Sequence, residues 1–211
     1  MYIAIEGVIG VGKTTLARLL QPHFNAQLIL EAFEENPFLS DFYSDRDRYA
    51  FQTQIFFLLS RYHQQMENVI PVIEIGDLIA DYTFEKDALF AQLNLKGDEL
   101  NTYYSVYRAL SEQIHPPDLT VYLKADTQVA MQRIAMRDRS YERNMDFNYI
   151  DDLNQAYDRF FRDRKDQRVL MIDTNNLDFV SHTDHLENIS NRIRAALGIP
   201  PFQTELPFHE G

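Results

Sequence analysis

Gly7-Val8-Ile9-Gly10-Val11-Gly12-Lys13-Thr14-Thr15 is the most diagnostic motif in this sequence. It matches the phosphate-binding pattern G-x-x-x-x-G-K-[ST] in full, with an apolar run, Tyr2–Ile5, before it and an apolar-periodic run, Leu16–Leu20, after it. This strand–loop–helix context is the one in which the pattern binds polyphosphate. A chance glycine-rich turn before a helix is the alternative, and the Lys-Thr pair argues against it. We therefore predict that the chain binds a nucleoside triphosphate.

The residues of this phosphate-binding loop have separate predicted tasks. Its glycines allow positive φ angles, so that successive N–H groups and the helix N-terminus can face an anion. Lys13 is expected to reach the β- and γ-phosphates, and the Thr14 hydroxyl to ligate Mg²⁺ as cofactor. The predicted ATP-binding residues of the loop are Gly7, Val8, Ile9, Gly10, Val11, Gly12, Lys13, Thr14 and Thr15.

Length and composition narrow the class of protein. The 211 residues suit one α/β domain, which we place at 1–198, followed by an extended tail at 199–211 with Phe202 and Phe208 as its apolar contacts. The absence of cysteine excludes disulfides, thiolate metal sites and thiol catalysis. A net charge of −12 argues against a nucleic-acid or anionic-membrane surface. We expect a cytoplasmic protein without a presequence, because the loop begins at residue 7.

Apolar runs and helical stretches alternate along the chain. Such alternation predicts βαβ units and a five-stranded parallel sheet with helices on both faces, the three-layer α/β sandwich of P-loop NTPases. The predicted strands are Tyr2–Ile5, Gln27–Leu30, Leu78–Ala80, Leu119–Leu123 and Val169–Ile172. The predicted helices are Lys13–His23, Arg46–Asn68, Leu100–Ile114, Gln128–Arg137, Tyr149–Arg164 and Phe179–Leu197. The apolar segment Ile70–Gly76, which contains Pro71, is left unassigned.

Ligands of parallel α/β sheets bind beyond the carboxyl ends of the strands, so acids just after strands are candidates. Glu31 follows the second predicted strand and could accept a proton from an attacking hydroxyl. A solvated acid in an acidic loop is the simpler explanation of Glu31 taken alone. Asp81 follows the third strand, where an acidic residue near Mg²⁺ is often found. It is therefore the second predicted metal ligand, with Thr14.

Two further groups of residues point to substrate recognition. Gln54 and Arg61 are two helical turns apart, so both project from nearly one face of the predicted helix and suit the edge of a nucleobase. A surface pair is the alternative. Near Arg133–Arg143, arginines concentrate at a helix end in an acidic protein, which favours a phosphate-binding lid at about 137–148. Cations that compensate a helix dipole are the alternative there.

Taken together, these residues resemble the deoxynucleoside kinases, most closely the bacterial deoxyadenosine/deoxyguanosine kinases. The resemblance covers about residues 1–175. It implies that Glu31 is the general base and that Lys13, Arg137 and Arg139 act on the transferred phosphoryl group. It implies that Arg133 and Arg137 bind ATP. The substrate-binding residues that it implies are Glu31, Tyr43, Gln54, Arg61, Tyr82, Asp87 and Glu142.

One position departs from the family pattern. The family usually has Asp/Glu-Arg-Ser after the third strand, where this chain has Asp81-Tyr82-Thr83. Tyr82 therefore stands where the family's arginine touches the base carboxylate and the 5′-oxygen region. Losing such a cation could cost a few kcal/mol of transition-state stabilisation. Lys86 is nearby in the sequence and could compensate.

The resemblance implies an enzyme that transfers the γ-phosphoryl group of ATP to the 5′-hydroxyl of a deoxynucleoside, with purines favoured. Tyr43 and Glu142 are expected to bind the 3′-hydroxyl. Two alternatives stay open: a catalytically weakened nucleotide-binding accessory subunit, motivated by Tyr82, and a nucleoside monophosphate kinase. The resemblance also implies a homodimer formed through helices such as Arg46–Asn68 and Leu100–Ile114. The net charge of −12 predicts that neither nucleic acid nor a membrane is a partner.

Overall fold

The structure is a computed structural model that describes residues 1–164 and 168–201. Phe202 and Phe208 of the predicted tail lie outside the described residues. The strands are β1 Tyr2–Glu6, β2 Gln27–Ile29, β3 Leu78–Ala80, β4 Leu119–Lys124 and β5 Val169–Asp173. The helices are α1 Lys13–Phe24, α2 Leu39–Ser44, α3 Arg46–Gln64, α4 Ile70–Ile75, α5 Lys86–Asn94, α6 Gly97–Ser111, α7 Thr127–Arg137, α8 Phe147–Asp163 and α9 Thr183–Leu197.

The five strands form one parallel sheet in the order β2-β3-β1-β4-β5, which confirms the predicted sheet. Every residue of β1 is buried, because helices cover both faces. Successive side chains of a strand point to opposite faces. Accordingly, Ile3 and Ile5 join the large core cluster, whereas Tyr2 and Ala4 join a smaller cluster on the other face.

The sheet order places the candidate residues at one edge. β1 lies at the centre of the sheet, between β3 and β4. The strand order reverses there, because β2 and β3 lie on one side of β1 and β4 and β5 on the other. Crevices open at such switch points beyond the carboxyl ends of the strands. The phosphate-binding loop follows β1, Glu31 follows β2 and Asp81 follows β3. The topology therefore brings these three segments together.

The unassigned segment around Pro71 continues the long helix that begins at Arg46. α3 passes through a π-helical turn at Gln65–Val69 into α4, with proline in the first turn of α4. Proline has no N–H to donate to the preceding turn, and a widened turn accommodates this loss without ending the helix. The sequence prediction ended this helix several residues too early.

Other predicted boundaries differ for identifiable local reasons. The last helix begins at Thr183 rather than Phe179, because the Asp178 carboxylate accepts hydrogen bonds from the N–H groups of Val180 (3.1 Å) and Ser181 (2.9 Å) and holds a turn there. The short helices α2, α4 and α5 were not predicted.

In residues 1–164 and 168–201, no helix is long and apolar enough to cross a membrane.

Candidate active site

The phosphate-binding loop is shaped by residues of its own and neighbouring elements. Gly12 caps α1 with φ 107°, and Lys13 begins the helix. Lys13 Nζ donates hydrogen bonds to the carbonyl oxygens of Gly7 (2.7 Å) and Val8 (3.2 Å). Burial, with the nearby charge of Lys86, lowers the pKa of Lys13 to about 8. The ammonium group is thus held over the loop, where a phosphate would meet it.

Gly10 is a position where the loop tolerates no side chain. Its φ is +87°, and a Cβ there would lie 2.6 Å from the carbonyl oxygen of Ala130 and 2.7 Å from a side-chain carbon of Ile134. We expect Gly10→Ala to lower the free energy of unfolding by about 1–3 kcal/mol and to weaken ATP binding, because the loop must move away from α7. Urea unfolding and ATP titration measure the two effects.

Gly76→Ala is the matched control for this substitution. A Cβ at Gly76 would meet no atom within 4 Å, and its extended φ of −170° suits any residue. Its free energy of unfolding should stay within about 0.5 kcal/mol of wild type. Equal effects of the two substitutions would contradict the packing of Gly10 against α7.

The buried carboxylate of Glu6 connects the loop to two neighbouring elements. It accepts hydrogen bonds from the N–H groups of Gly7 (3.1 Å) and Thr83 (2.7 Å) and from the Tyr157 hydroxyl (3.0 Å). Glu6 is fully buried at the carboxyl end of β1. Sequence reasoning missed it, although an acid that ends an apolar strand directly before a glycine loop was a usable signal.

Thr14 and Asp81 converge as the sequence predicts. The Thr14 hydroxyl donates to Asp81 Oδ2 (2.5 Å), and the Glu31 N–H donates to Asp81 Oδ1 (2.8 Å). In the part of the chain that the structure describes, no group of three or more His, Cys, Asp or Glu side chains could hold a metal ion. One hydroxyl and one carboxylate beside a phosphate loop nevertheless fit Mg²⁺, which keeps waters and takes phosphate oxygens.

Glu31 lies in a buried cluster of charges. Arg61 donates to Glu31 Oε1 through Nε (3.0 Å) and Nη2, while Lys86 Nζ donates to Oε2 (2.5 Å). Arg61 Nη1 donates to Asp87 Oδ1. Burial alone would raise the pKa of Glu31, but the charges of Arg61 and Lys86 outweigh it and hold that pKa far below its usual value. Glu31 is therefore an oriented carboxylate.

An inner cavity of about 110 Å³ opens onto this cluster. Its wall combines charged and polar groups with several aromatic rings. The rings of Tyr43 and Tyr141 stack with centroids 6.2 Å apart and planes 7° from parallel. The lining includes Glu31, Phe42, Tyr43, Gln54, Phe57, Arg61, Lys86, Phe90, Tyr141, Glu142 and Tyr149. Flat aromatic walls and convergent polar groups suit a small planar ligand with hydroxyls.

A larger outer groove of about 940 Å³ runs along the phosphate-binding loop. It is bordered by the loop, by α7 and by the segment Asn175–Val180 after β5. The groove and the inner cavity share five residues: Gly10, Lys13, Thr14, Arg137 and Arg139. Two ligands could therefore meet beside Lys13.

The predicted lid arginines have different contacts. Arg137 donates to both oxygens of Glu142, through Nε (2.7 Å) and Nη2 (2.5 Å). The Arg139 guanidinium lies 4.2 Å from the centre of the Phe33 ring. Arg133 donates to the carbonyl oxygens of Val11 (3.1 Å) and Thr174 (2.8 Å) and also borders the outer groove. Arg133 thus supports the loop from outside.

The structure does not bring every predicted substrate-binding residue into the inner cavity. Tyr82 is fully buried in the smaller core cluster, with Tyr2 and Val69. Asp87 lies behind Arg61, its partner, and is fully buried as well. Neither lines the cavity. The ring of Tyr82 packs into the apolar face of the sheet, so it supplies no cation where the family has an arginine.

Conversely, several lining residues were not predicted. Lys86, which the sequence suggested only as a compensating cation, contacts Glu31 directly, and the unpredicted Phe57 ring lies 4.8 Å from the Arg61 guanidinium. Phe57 precedes Arg61 by one helical turn, so helical spacing could have found it. Nothing in the sequence marks Phe33 or Tyr141 as contacts of the cavity, because each lies in a 3-10 turn too short to show a periodic pattern.

The comparisons with known proteins agree with this geometry. A family model described as deoxynucleoside kinase matches residues 3–197. Deoxyguanosine kinase of Bacillus subtilis (strain 168) is 32% identical over 198 residues, covering 92% of this chain and 96% of that protein. Deoxyadenosine kinase of Dictyostelium discoideum is 36% identical over 167 residues, covering 77% and 67%. The structure of deoxyadenosine kinase from M. mycoides with bound dATP is similar with a TM-score of 0.80 and 28% identity, covering 92% of this chain and 99% of that one. This chain belongs to the deoxynucleoside kinase family.

Proposed function

We propose that this protein transfers the γ-phosphoryl group of ATP to the 5′-hydroxyl of purine deoxynucleosides. One observation carries the proposal: the inner cavity and the outer groove meet beside Lys13, and Glu31 lies on the inner side of that junction. ATP binds in the outer groove along the loop, and the deoxynucleoside binds in the inner cavity. The family membership of the chain supports this assignment.

The residues around the junction have complementary roles in this reaction. Glu31 orients the 5′-hydroxyl and accepts its proton, which it can do as an ionised acceptor within the cavity. Lys13, the loop N–H groups, Arg137 and Arg139 hold the phosphates and stabilise their charge in the transition state. Phosphoryl transfer needs mainly positioning and charge stabilisation, and this arrangement supplies both.

Thr14 and Asp81 would hold Mg²⁺ at the phosphate end of the site. When bound, Mg²⁺ neutralises charge on the β- and γ-phosphate oxygens. The Thr14 hydroxyl and the Asp81 carboxylate already lie together, and Asp81 also fixes the backbone at Glu31. Asp81 therefore links the phosphate side of the site to the acceptor side.

The inner cavity supports a deoxynucleoside as acceptor. Tyr43 and Glu142 bind the 3′-hydroxyl from the lid side, while Gln54 and Arg61 face the base from α3, with Asp87 fixing Arg61. Two of the relatives that we compared are named for deoxyguanosine and deoxyadenosine, and the solved structures include complexes with dATP and with dCTP. We infer that purines are preferred and that deoxycytidine is an accessible second substrate.

A substrate panel tests this function. ADP release with ATP and Mg²⁺ should be fastest with deoxyadenosine or deoxyguanosine, slower with deoxycytidine, and near background with adenosine, thymidine and dTMP. ATP binding without turnover on any deoxynucleoside would contradict the proposal and favour an accessory subunit. Turnover of dTMP in preference to nucleosides would favour a monophosphate kinase.

We further propose a homodimer formed through α3 and α6. Leu59 on α3 is 41% exposed, and the two helices pack side by side, so a broad helical face is available. Light scattering should give twice the chain mass. A monomer at all accessible concentrations would contradict the dimer without affecting the kinase assignment.

A further inference from the structure

Lys86 lies in the inner cavity, in contact with the carboxylate assigned as the base. Its Nζ donates to Glu31 Oε2 (2.5 Å), the oxygen opposite to the one that Arg61 contacts. Lys86 is only 5% exposed and lines the cavity. Arg61 is fixed on its far side by Asp87, whereas the hydrogen bond of Lys86 Nζ within the described residues goes to Glu31 alone. One cation is therefore anchored, and the other is attached only through Glu31.

The location of Lys86 works against the stability of its own helix. It is the first residue of α5, where the positive end of the helix dipole disfavours a cation. Its burial also removes the ammonium from water. The Phe90 ring, whose centre lies 5.8 Å from Nζ, offers only a weak compensating contact. The packing of α5 gives no reason for a lysine at this position. We therefore look for its role in the cavity that it lines.

The cations of the junction divide between its two sides. Lys13 Nζ is held on the loop by the carbonyl oxygens of Gly7 and Val8, on the ATP side. Arg137 is bound to Glu142 of the lid. Tyr82, next to Asp81, is buried away from the cavity and supplies no charge. On the acceptor side, Arg61 is held by Asp87 as well as Glu31, whereas Lys86 Nζ donates to Glu31 alone within the described residues.

We propose that Lys86 is a catalytic residue that moves from Glu31 onto the oxygens of the transferring phosphoryl group; this inference rests on the function proposed above. In the reaction, the 5′-O–H bond breaks and its proton passes to Glu31. The 5′-oxygen forms a bond to the γ-phosphorus, and the bond from that phosphorus to the bridging oxygen breaks, with its electron pair leaving on ADP. Once protonated, Glu31 no longer attracts the ammonium. The flexible four-carbon stem of lysine then lets Nζ follow the charge to the phosphoryl oxygens.

The test compares three variants in the ADP-release assay with deoxyadenosine and deoxyguanosine. We expect Lys86→Met to lower kcat about 100-fold, the usual effect of removing one donor from a charge-stabilising site, with both KM values within about threefold of wild type. Lys86→Arg should recover at least about tenfold of that loss, because it restores the charge. Lys96→Met, an exposed lysine outside the cavity, should match wild type.

Each outcome decides the inference separately from the proposed function. A Lys86→Met protein with wild-type kcat, or one whose whole loss is in the nucleoside KM, would overturn it. If the methionine variant does not fold, the arginine variant decides: reduced kcat with unchanged KM supports the inference, and raised KM with unchanged kcat overturns it. Absence of turnover by the wild-type protein would overturn the proposed function itself, and this inference with it.

Discussion

Glu31→Gln should lower kcat for a purine deoxynucleoside by about 10²–10⁴-fold, because the amide keeps the size of the side chain but cannot take a proton. The KM for ATP should change little, since Glu31 lines the inner cavity and not the outer groove. Steady-state ADP release at saturating ATP measures the effect, and circular dichroism shows whether the variant is folded.

Glu35→Gln is the control for this substitution. Glu35 is exposed in the short 3-10 helical segment Phe33–Glu35 that follows Glu31, so it tests the loss of one negative charge near the site without touching the cavity. Its kcat should equal that of wild type. A Glu31→Gln protein that retains wild-type kcat would remove the assigned base.

Arg61→Met should lower the free energy of unfolding by about 3–5 kcal/mol, the usual effect of removing one partner from a buried ion pair. Arg61 is the cation that Glu31 and the fully buried Asp87 share. Its removal leaves the buried Asp87 carboxyl without its cation, although burial raises the pKa of Asp87 to about 7 even beside Arg61. The carboxyl must then stay charged or take up a proton, and either lowers the stability. Urea unfolding, read at the midpoint and slope, measures the loss.

Two comparisons make this result specific. Adding Asp87→Asn to Arg61→Met should recover part of the lost stability, because it removes the uncompensated carboxylate. Arg46→Met, on the same helix, breaks an ion pair with Asp146 whose side chains are 37% and 44% exposed, and should cost less than about 1 kcal/mol. Equal losses for Arg46 and Arg61, or a further loss on adding Asp87→Asn, would contradict the buried charge cluster.

The sheet and its phosphate-binding loop could be predicted from the sequence because local patterns determine them. Tyr2–Glu6 is a continuous apolar strand up to its final acid, and the glycines and Lys-Thr pair that follow leave one plausible structure. The positions of Glu31 and Asp81 at the same edge follow from strand ends in a parallel sheet. Gln54 and Arg61 lie on one face by helical spacing, and both reach the cavity.

What could not be predicted depends on distant contacts. Lys86 and Tyr82 both follow β3, and nothing local says which of them faces the cavity; the packing of Tyr82 against Tyr2 and Val69 decides it. For the same reason, Tyr82→Arg would bury a guanidinium in an apolar cluster rather than place it beside Glu31. The π-helical turn before Pro71 could not be predicted either, because a single turn is too short to produce a recognisable spacing of apolar residues.

The most direct measurement is a crystal structure with deoxyadenosine and a non-hydrolysable ATP analogue bound together. We expect the 5′-oxygen within about 2.6–3.2 Å of a Glu31 oxygen and in line with the γ-phosphorus beside Lys13. A deoxynucleoside bound outside the inner cavity, or a Glu31 side chain turned away from the 5′-oxygen, would contradict it.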